Sequence, residues 1–169
     1  MTRSARWARS ARLVVLAGAA CSLTVSCGDG DAERGPASIV VTDAQGTEVA
    51  VGDIADGPLV VNLWASWCPP CVAEMPAFDE VADDPGVDDV TIVGVNVGDD
   101  ADAATAFATE LGVGYPQFTD PDGLLSAALS VSALPATAFF SADGTLLTVH
   151  SGAFTTDELR TAIRDTFGT

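Results

Sequence analysis

Hydrophobic residues along the chain fall into two patterns, continuous apolar runs and apolar residues repeated at helical spacing. Continuous runs without polar interruption predict strands that are covered on both faces of a sheet. Shorter β-branched stretches that flank turn residues such as Asp-Gly predict antiparallel hairpins. The expected strands are 59–64, 90–97, a hairpin over 38–51, a short extended piece within 115–123, and a hairpin made of 136–141 and 145–152.

Helical spacing of apolar residues appears between these runs. Cys71, Met75 and Phe78 repeat at intervals of three and four residues, which is the spacing of one helix face. Thr155 and Glu158 form a capping-box pattern at the start of the last helix. The resulting order of strands and helices indicates an α/β fold with a mixed central sheet flanked by helices and an amino-terminal hairpin. The expected helices are 69–83, 99–112, 124–130 and 155–168.

The amino terminus has the layout of a secretory signal. Residues 1–12 carry four arginines and no acid, and the run 13–26 is uncharged and mostly apolar. This run is shorter than the roughly 20 residues of a membrane-spanning helix. The chain is therefore expected to divide into a signal peptide over 1–26, a flexible tether over 27–37 and one domain over 38–169.

Cys27 follows the apolar run directly, and the residues before it resemble a bacterial lipoprotein signal. That resemblance implies cleavage before Cys27 and attachment of a lipid to its side chain. Ordinary cleavage nearby, with Cys27 left as a free thiol, remains the alternative. The protein is accordingly expected outside the cytoplasm, anchored to the cell membrane by the lipid or secreted without it.

The remaining chain is strongly acidic. After residues 1–26 it has three arginines, no lysine and 24 acidic residues, a formal charge of −21. Nucleic acid and anionic membrane surfaces repel such a domain, so neither is expected as a direct partner. A solvated surface that resists aggregation accounts for the acidity.

Two cysteines in the sequence WCPPC carry the candidate chemistry. Cys21 lies in the signal and Cys27 at its end, which leaves Cys68 and Cys71 in the folded domain. A structural zinc site needs four Cys or His ligands, and the domain adds only His150 to this pair. A disulfide across two residues closes too small a loop to be an effective staple. Thiol-disulfide exchange is the reading that remains.

The position of the pair suits exchange. Cys68 is expected at the amino terminus of a helix, where the helix dipole and free N–H groups stabilise a thiolate. Pro69 and Pro70 have no N–H, so the N–H of Cys71 is the nearest intrahelical donor to the Cys68 sulfur. Cys71 falls on the core-facing stripe and is expected to be the less exposed, resolving thiol.

The segment LVVNLWASWCPPCVAEMP, residues 59–76, resembles the thioredoxin superfamily, in particular its TlpA- and ResA-like extracytoplasmic branch. The resemblance covers about 38–169 and implies a thioredoxin-like fold. It also implies a redox-active Cys68–Cys71 disulfide, without any further cofactor or metal. Within SALPATAFF it implies a cis peptide bond before Pro135, which would lie against the disulfide, and a backbone at Leu134 that pairs with a substrate peptide. Trp67 is expected to form part of the apolar surface around Cys68.

Two positions bear on proton transfer. Many thioredoxins have a buried aspartate where this chain has Asn62, so their usual proton acceptor is missing. Glu74 resembles the glutamate of ResA-like proteins and could take the proton of Cys71 or raise the pKa of Cys71, although a plain helix-surface carboxylate is an equal alternative. His150 is expected to be a solvated histidine on an edge strand rather than a base or a ligand.

The resemblance implies a protein-disulfide oxidoreductase. Its expected partners are cysteine-containing exported proteins, a transmembrane thiol electron donor and the membrane through the lipid anchor. Proteins of this branch commonly keep the cysteines of apocytochrome c or copper sites reduced. One alternative is a copper-binding assembly factor, whose Cys-x-x-x-Cys spacing this chain lacks. Another is a thiol peroxidase, which sets Thr or Ser where Ala65 stands here.

Overall fold

The computed structural model describes residues 35–87 and 89–168. The predicted signal peptide, Cys27 and its predicted lipid, and the tether up to residue 34 lie outside the described residues. No helix within the described ranges has the length and apolar character to cross a membrane. The described strands are β1 Val40–Asp43, β2 Glu48–Ala50, β3 Leu59–Trp64, β4 Thr91–Val97, β5 Gln117–Asp120, β6 Ala136–Phe140 and β7 Leu146–Ser151. The described α-helices are α1 Pro69–Ala82, α2 Ala101–Leu111, α3 Leu124–Ala128 and α4 Thr156–Phe167, and short 3₁₀ turns cover Gly35–Ser38, Val51–Asp53 and Pro85–Val87.

The described strands form one mixed sheet in the order β2-β1-β5-β4-β3-β6-β7. The pairs β3–β4 and β4–β5 are parallel, and the other neighbours are antiparallel. This arrangement confirms the thioredoxin-like α/β fold with an amino-terminal hairpin. Strand β3 lies between β4 and β6, and all six of its residues are buried. The WCPPC motif therefore follows a fully buried strand in the interior of the sheet.

Apolar side chains cover both faces of the sheet. On one face, Val61 and Val93 pack with Leu125 of α3. On the other face, Val60 packs with Phe78 of α1 and with α4, whose contribution includes buried Leu159 and Ile163. Burial on both sides explains why the strand at 59–64 lacks polar alternation apart from Asn62.

The predicted helix limits differ from the structure by a few residues, each for a local reason. Asp100 accepts a hydrogen bond from the N–H of Ala103 at 3.1 Å and thereby caps α2 from outside it. Gly112 ends the same helix with a φ of +72°, which glycine adopts without strain. Ser130 has a φ of +58°, so the third helix ends earlier than predicted. The capping box at Thr155 is confirmed.

Candidate active site

Cys68 caps the amino terminus of α1. Its sulfur accepts a hydrogen bond from the N–H of Cys71 at 3.3 Å, while the intervening prolines fill the first helical positions, where an N–H has no intrahelical partner. Cys68 and Cys71 are joined by a disulfide with an S–S distance of 2.02 Å. In the reduced protein the same N–H and the helix dipole would favour a thiolate on Cys68.

Exposure around the disulfide lies in the residues that flank Cys68, among them Ser66, Pro69 and Pro70. Cys68 is 4% exposed and Cys71 is fully buried, so the predicted order of exposure holds by a small margin in the disulfide form. Trp67, directly before Cys68, is 67% exposed. The domain thus covers both cysteines, and the apolar ring of Trp67 beside them is exposed to solvent.

The Leu134–Pro135 peptide bond is cis, which is the geometry that the resemblance implies. Leu134 packs against the apolar cluster that contains both cysteines. The carbonyl of Pro135 accepts a hydrogen bond from the N–H of Gly152 at 3.0 Å, which holds this segment to the end of β7. The segment before β6 therefore lies next to the cysteine motif.

A shallow groove of about 180 Å³ joins the predicted substrate-binding residues. Its apolar lining includes Trp67, Val97, Val131 and Leu134. The structure thus brings together Trp67 and Leu134, which are far apart in sequence. An extended peptide has an apolar surface to contact at this place beside the disulfide.

Glu74 lies inside the domain, 3% exposed. Its Oε1 accepts a hydrogen bond from Asn62 Nδ2 at 2.7 Å, and its Oε2 accepts one from the N–H of Phe154 at 2.9 Å. Burial raises the pKa of the Glu74 carboxyl to about 7, although both hydrogen bonds oppose that shift. The helix-surface alternative is therefore wrong. A role for Glu74 in proton transfer stays a prediction, and a pKa near neutrality suits it.

Asn62 connects Glu74 to a buried tyrosine. The hydroxyl of Tyr115 donates to Asn62 Oδ1 at 3.2 Å, and the Tyr115 ring lies 6.1 Å from that of Phe78 between centroids. Burial raises the pKa of Tyr115 above its usual range, so its hydroxyl remains a donor. Asn62 stands where many thioredoxins have a buried aspartate. It thus forms a hydrogen bond with the carboxyl group of Glu74 on α1.

Sequence reasoning missed two partners in this network. Tyr115 is the chain's single tyrosine, and that was the one available signal. Phe154 acts through its backbone N–H, which leaves no mark in the side-chain pattern. His150 is exposed on the edge strand β7 as predicted, but its ring also stacks on the Phe154 ring with 4.0 Å between centroids.

A second set of contacts holds the loop between β3 and α1. Asp99 Oδ2 accepts hydrogen bonds from the N–H of Ser66 and from Asn96 Nδ2, both at 2.8 Å. Trp64 Nε1 donates to Gln117 Oε1 at 2.9 Å. These contacts fix the chain on the approach to Cys68. The sequence indicated Asp99 only as part of an acidic helix start.

Within 35–87 and 89–168, no three or more His, Cys, Asp or Glu side chains come together as metal ligands would. The described part of the site consists of the disulfide, the apolar groove and the buried carboxyl network.

The redoxin family profile matches residues 30–163. The chain is 30% identical over 118 residues to the thiol-disulfide oxidoreductase ResA of Bacillus subtilis, covering 70% of this chain and 66% of ResA. It is 36% identical over 96 residues to the thiol:disulfide interchange protein DsbE of Vibrio cholerae, covering 56% of this chain and 50% of DsbE. The matched part of the chain thus spans about two thirds of the length of ResA and half of the length of DsbE.

Solved structures agree with this relationship. The crystal structure of a secreted Mycobacterium tuberculosis disulfide oxidoreductase homologous to Escherichia coli DsbE superposes with a TM-score of 0.65 at 29% identity. The superposition covers 79% of this chain and 98% of that one. Together these relatives support protein-disulfide oxidoreductase activity. The chain belongs to the redoxin family, as a TlpA- and ResA-like member of the thioredoxin superfamily.

Proposed function

We propose that this protein is an extracytoplasmic thiol-disulfide oxidoreductase that reduces disulfides in exported proteins through Cys68 and Cys71. The observation that carries the proposal is the disulfide at the amino terminus of α1, beside an apolar groove. A helix amino terminus lowers the pKa of a thiol and so supplies the thiolate that exchange requires.

The reaction moves two electrons from the dithiol to the substrate. The Cys68 thiolate attacks one substrate sulfur, which forms a mixed disulfide and releases the other substrate sulfur as a thiolate. Cys71 then gives its proton to the Glu74 carboxylate and attacks the Cys68 sulfur. That step forms the Cys68–Cys71 disulfide and releases the second substrate thiolate. A carboxyl with a pKa of about 7 can both accept and return this proton near neutral pH.

The groove indicates how a substrate would be held. Trp67 and Leu134 offer apolar contacts, and the backbone at Leu134 would pair with a peptide in the manner of an added strand. Pro135 would keep that segment against the sulfurs. We propose an unfolded peptide with a nearby cysteine pair as substrate, such as the Cys-x-x-Cys-His segment of an apocytochrome c. A transmembrane thiol protein would restore the dithiol.

We also propose that the chain matures by loss of residues 1–26 and that lipid on Cys27 anchors the tether 27–37 and the domain 38–169 to the membrane. The basic and apolar amino terminus supports this, and one similar protein of known structure is described as secreted. Cys27→Ser should release the protein from the membrane fraction, and mass spectrometry of the mature amino terminus would detect the lipid. An unmodified Cys27 would mean a secreted protein.

The reduction potential of the Cys68–Cys71 pair tests the direction of exchange. Equilibration with dithiothreitol buffers should give a value near that of thioredoxin, about −270 mV. A value near about −120 mV would instead indicate an oxidant and contradict the reducing role.

Trapping tests the exchange itself. Cys71→Ala should accumulate mixed disulfides through Cys68, because the resolving thiol is gone. The double variant Cys68→Ala/Cys71→Ala is the matched control and should trap nothing. An oxidised Cys-x-x-Cys-His peptide serves as the defined probe. If Cys71→Ala forms no adduct with that peptide, thiol-disulfide exchange is not the function.

A further inference from the structure

A chain of hydrogen bonds leads from Trp64, close to the cysteine motif, to the buried carboxyl of Glu74. Trp64 Nε1 donates to Gln117 Oε1 at 2.9 Å. A hydrogen bond from the Gln117 side chain acts on Tyr115 and opposes the raised pKa of its hydroxyl. The Tyr115 hydroxyl donates to Asn62 Oδ1 at 3.2 Å, and Asn62 Nδ2 donates to Glu74 Oε1 at 2.7 Å. These five side chains form the Trp64–Glu74 chain.

The chemistry of the two ends gives the Trp64–Glu74 chain one direction. An indole N–H can only donate, so Gln117 presents its oxygen to Trp64 and its NH₂ group to Tyr115, whose carbonyl accepts from Nε2 at 3.1 Å. At the other end a carboxylate can only accept, so Asn62 presents its NH₂ group to Glu74 and its oxygen to Tyr115. The tyrosine hydroxyl stands between two amides, and it can accept from one and donate to the other.

The sheet leaves room for this path at Gly94. Gly94 lies on β4 between Asn62 of β3 and Gln117 of β5 and pairs with both. A Cβ at position 94 would lie 2.7 Å from Gln117 Cδ, which is closer than Cβ atoms come in proteins. The Gln117 side chain therefore crosses β4 over the glycine and reaches Trp64 on β3.

The direction of the chain decides which form of Glu74 it favours. With its NH₂ group toward Glu74, Asn62 stabilises the carboxylate. A reversed amide would present its oxygen to Glu74 and would favour the protonated carboxyl, which can donate. Reversal is unfavourable beside Tyr115, because the buried hydroxyl would then accept from Asn62 and its own proton would find only the donor NH₂ group of Gln117.

We propose that Tyr115 is a positioning residue for the resolving step, in which it fixes Asn62 so that Glu74 is held as a carboxylate that can accept the proton of Cys71. The inference rests on the proposed function. Tyr115 acts through Asn62 and not on the sulfurs. Burial favours the protonated form of Glu74, and a protonated carboxyl cannot take up the proton of Cys71. The chain opposes burial, so the carboxyl still ionises near neutral pH.

Other ionisable groups lie on the elements packed around the Trp64–Glu74 chain. On α1, Asp79 accepts from the N–H of Tyr115 at 3.1 Å, and its charge raises the pKa of the Tyr115 hydroxyl. On β7, His150 stacks on Phe154, and Glu158 of α4 interacts electrostatically with His150. Histidine is a side chain that commonly changes charge near neutral pH, so the experiment includes a variant that lacks it.

The first measurement is the titration of Glu74 in the oxidised protein, whose disulfide cysteines do not ionise. Glutamate labelled with ¹³C at the side-chain carboxyl reports each glutamate by NMR, and Glu74→Gln identifies the Glu74 resonance. Tyr115→Phe should raise the midpoint of that titration by about 0.5–1 pH unit, because Asn62 is no longer held. Gln117→Met is a second variant of the chain and should raise the midpoint as well.

Two further variants separate positioning from packing and from histidine charge. Phe78→Leu disturbs the ring contact with Tyr115, whose centroids are 6.1 Å apart, but removes no hydrogen bond of the chain. It is the matched control and should leave the midpoint of Glu74 unchanged. His150→Phe keeps a ring against Phe154, and in this background Tyr115→Phe should produce the same shift. A shift that vanishes without His150 would assign it to the histidine and overturn the inference.

The second measurement follows resolution in the reduced protein. Ellman's reagent releases one aryl thiolate when the Cys68 thiolate attacks it and a second when Cys71 attacks the resulting mixed disulfide. Tyr115→Phe should slow the second release about three- to tenfold near pH 6, much less near pH 9, and leave the first release unchanged. In a Glu74→Gln background, Tyr115→Phe should slow nothing further.

The two measurements fail in different ways. An unchanged midpoint in both Tyr115→Phe and Gln117→Met overturns the positioning role, as does equal slowing by Tyr115→Phe with and without Glu74. A wild-type protein that releases no aryl thiolate would instead contradict the proposed function, and the NMR titration would still decide whether Tyr115 controls the ionisation of Glu74.

Discussion

The buried carboxyl of Glu74 should make the stability of the oxidised protein depend on pH. Burial raises the pKa of Glu74 from an ordinary value of 4.5 to about 7 in the folded state. Between those values the folded protein keeps a proton that the unfolded chain has released. The free energy of unfolding therefore falls as pH rises from about 4.5 to about 7, and this contribution is constant on either side of the window.

The size of the effect follows from the same two values. Each tenfold change in proton affinity corresponds to about 1.4 kcal/mol, so ionised Glu74 destabilises the fold by about 3 kcal/mol relative to its protonated form. The two hydrogen bonds, from Asn62 Nδ2 and the N–H of Phe154, limit the effect but do not cancel it. A glutamine at this position cannot ionise, so this contribution disappears in Glu74→Gln.

The assay is urea unfolding of oxidised wild-type protein and Glu74→Gln from pH 4 to 9. The difference in free energy of unfolding between them should change by about 3 kcal/mol across the window, in favour of the variant at high pH. Glu110→Gln, at an exposed position of α2, is the matched control and should run parallel to wild type. Parallel curves for wild type and Glu74→Gln would refute the reasoning, because they would mean that Glu74 ionises as readily in the fold as in the unfolded chain.

Two further substitutions test packing near the site and the amino-terminal cap of α4. Gly94→Ala should lower the free energy of unfolding by about 1–3 kcal/mol in urea, because an added Cβ would lie 2.7 Å from Gln117 Cδ and displace the acceptor of Trp64. An unchanged urea midpoint would contradict this close approach. Thr155→Ala should cost about 1 kcal/mol by removing the cap that receives the N–H of Glu158, while Thr155→Ser should retain it. Equal unfolding midpoints for the two Thr155 variants would contradict the capping role.

Much of the fold could be predicted from local patterns in the sequence. The buried strand at 59–64 is a continuous apolar run, and helix α1 begins where Pro69 and Pro70 permit only a first turn. These signals act over a few residues, so the sequence reports them directly. The predicted and observed helix limits differ at caps and turns. There a single side chain such as that of Asp100 decides whether its residue lies inside the helix or caps it from outside.

The cysteine pair was accessible for the same reason, since spacing and helix position are local. The environment of Glu74 was not. Its neighbours Asn62 and Phe154 are 12 and 80 residues away, and their proximity depends on the way β3, α1 and the start of α4 pack. Helical spacing placed Glu74 near Cys71, but only tertiary packing decides whether a carboxyl there meets solvent or the core.

The segment after β7 contacts both the Leu134–Pro135 segment beside the groove and the buried Glu74. The N–H of Gly152 holds the carbonyl of Pro135, and two residues later the N–H of Phe154 holds Glu74. Gly152 has a φ of +108°, a conformation that glycine adopts readily, and the chain turns there from the strand toward α4. A displacement of this segment would therefore disturb both the wall of the groove at Leu134 and the raised pKa of Glu74. The CPPC motif supplies the sulfurs, whereas the buried carboxyl that we propose as their proton acceptor is held by a turn about 80 residues farther along the chain.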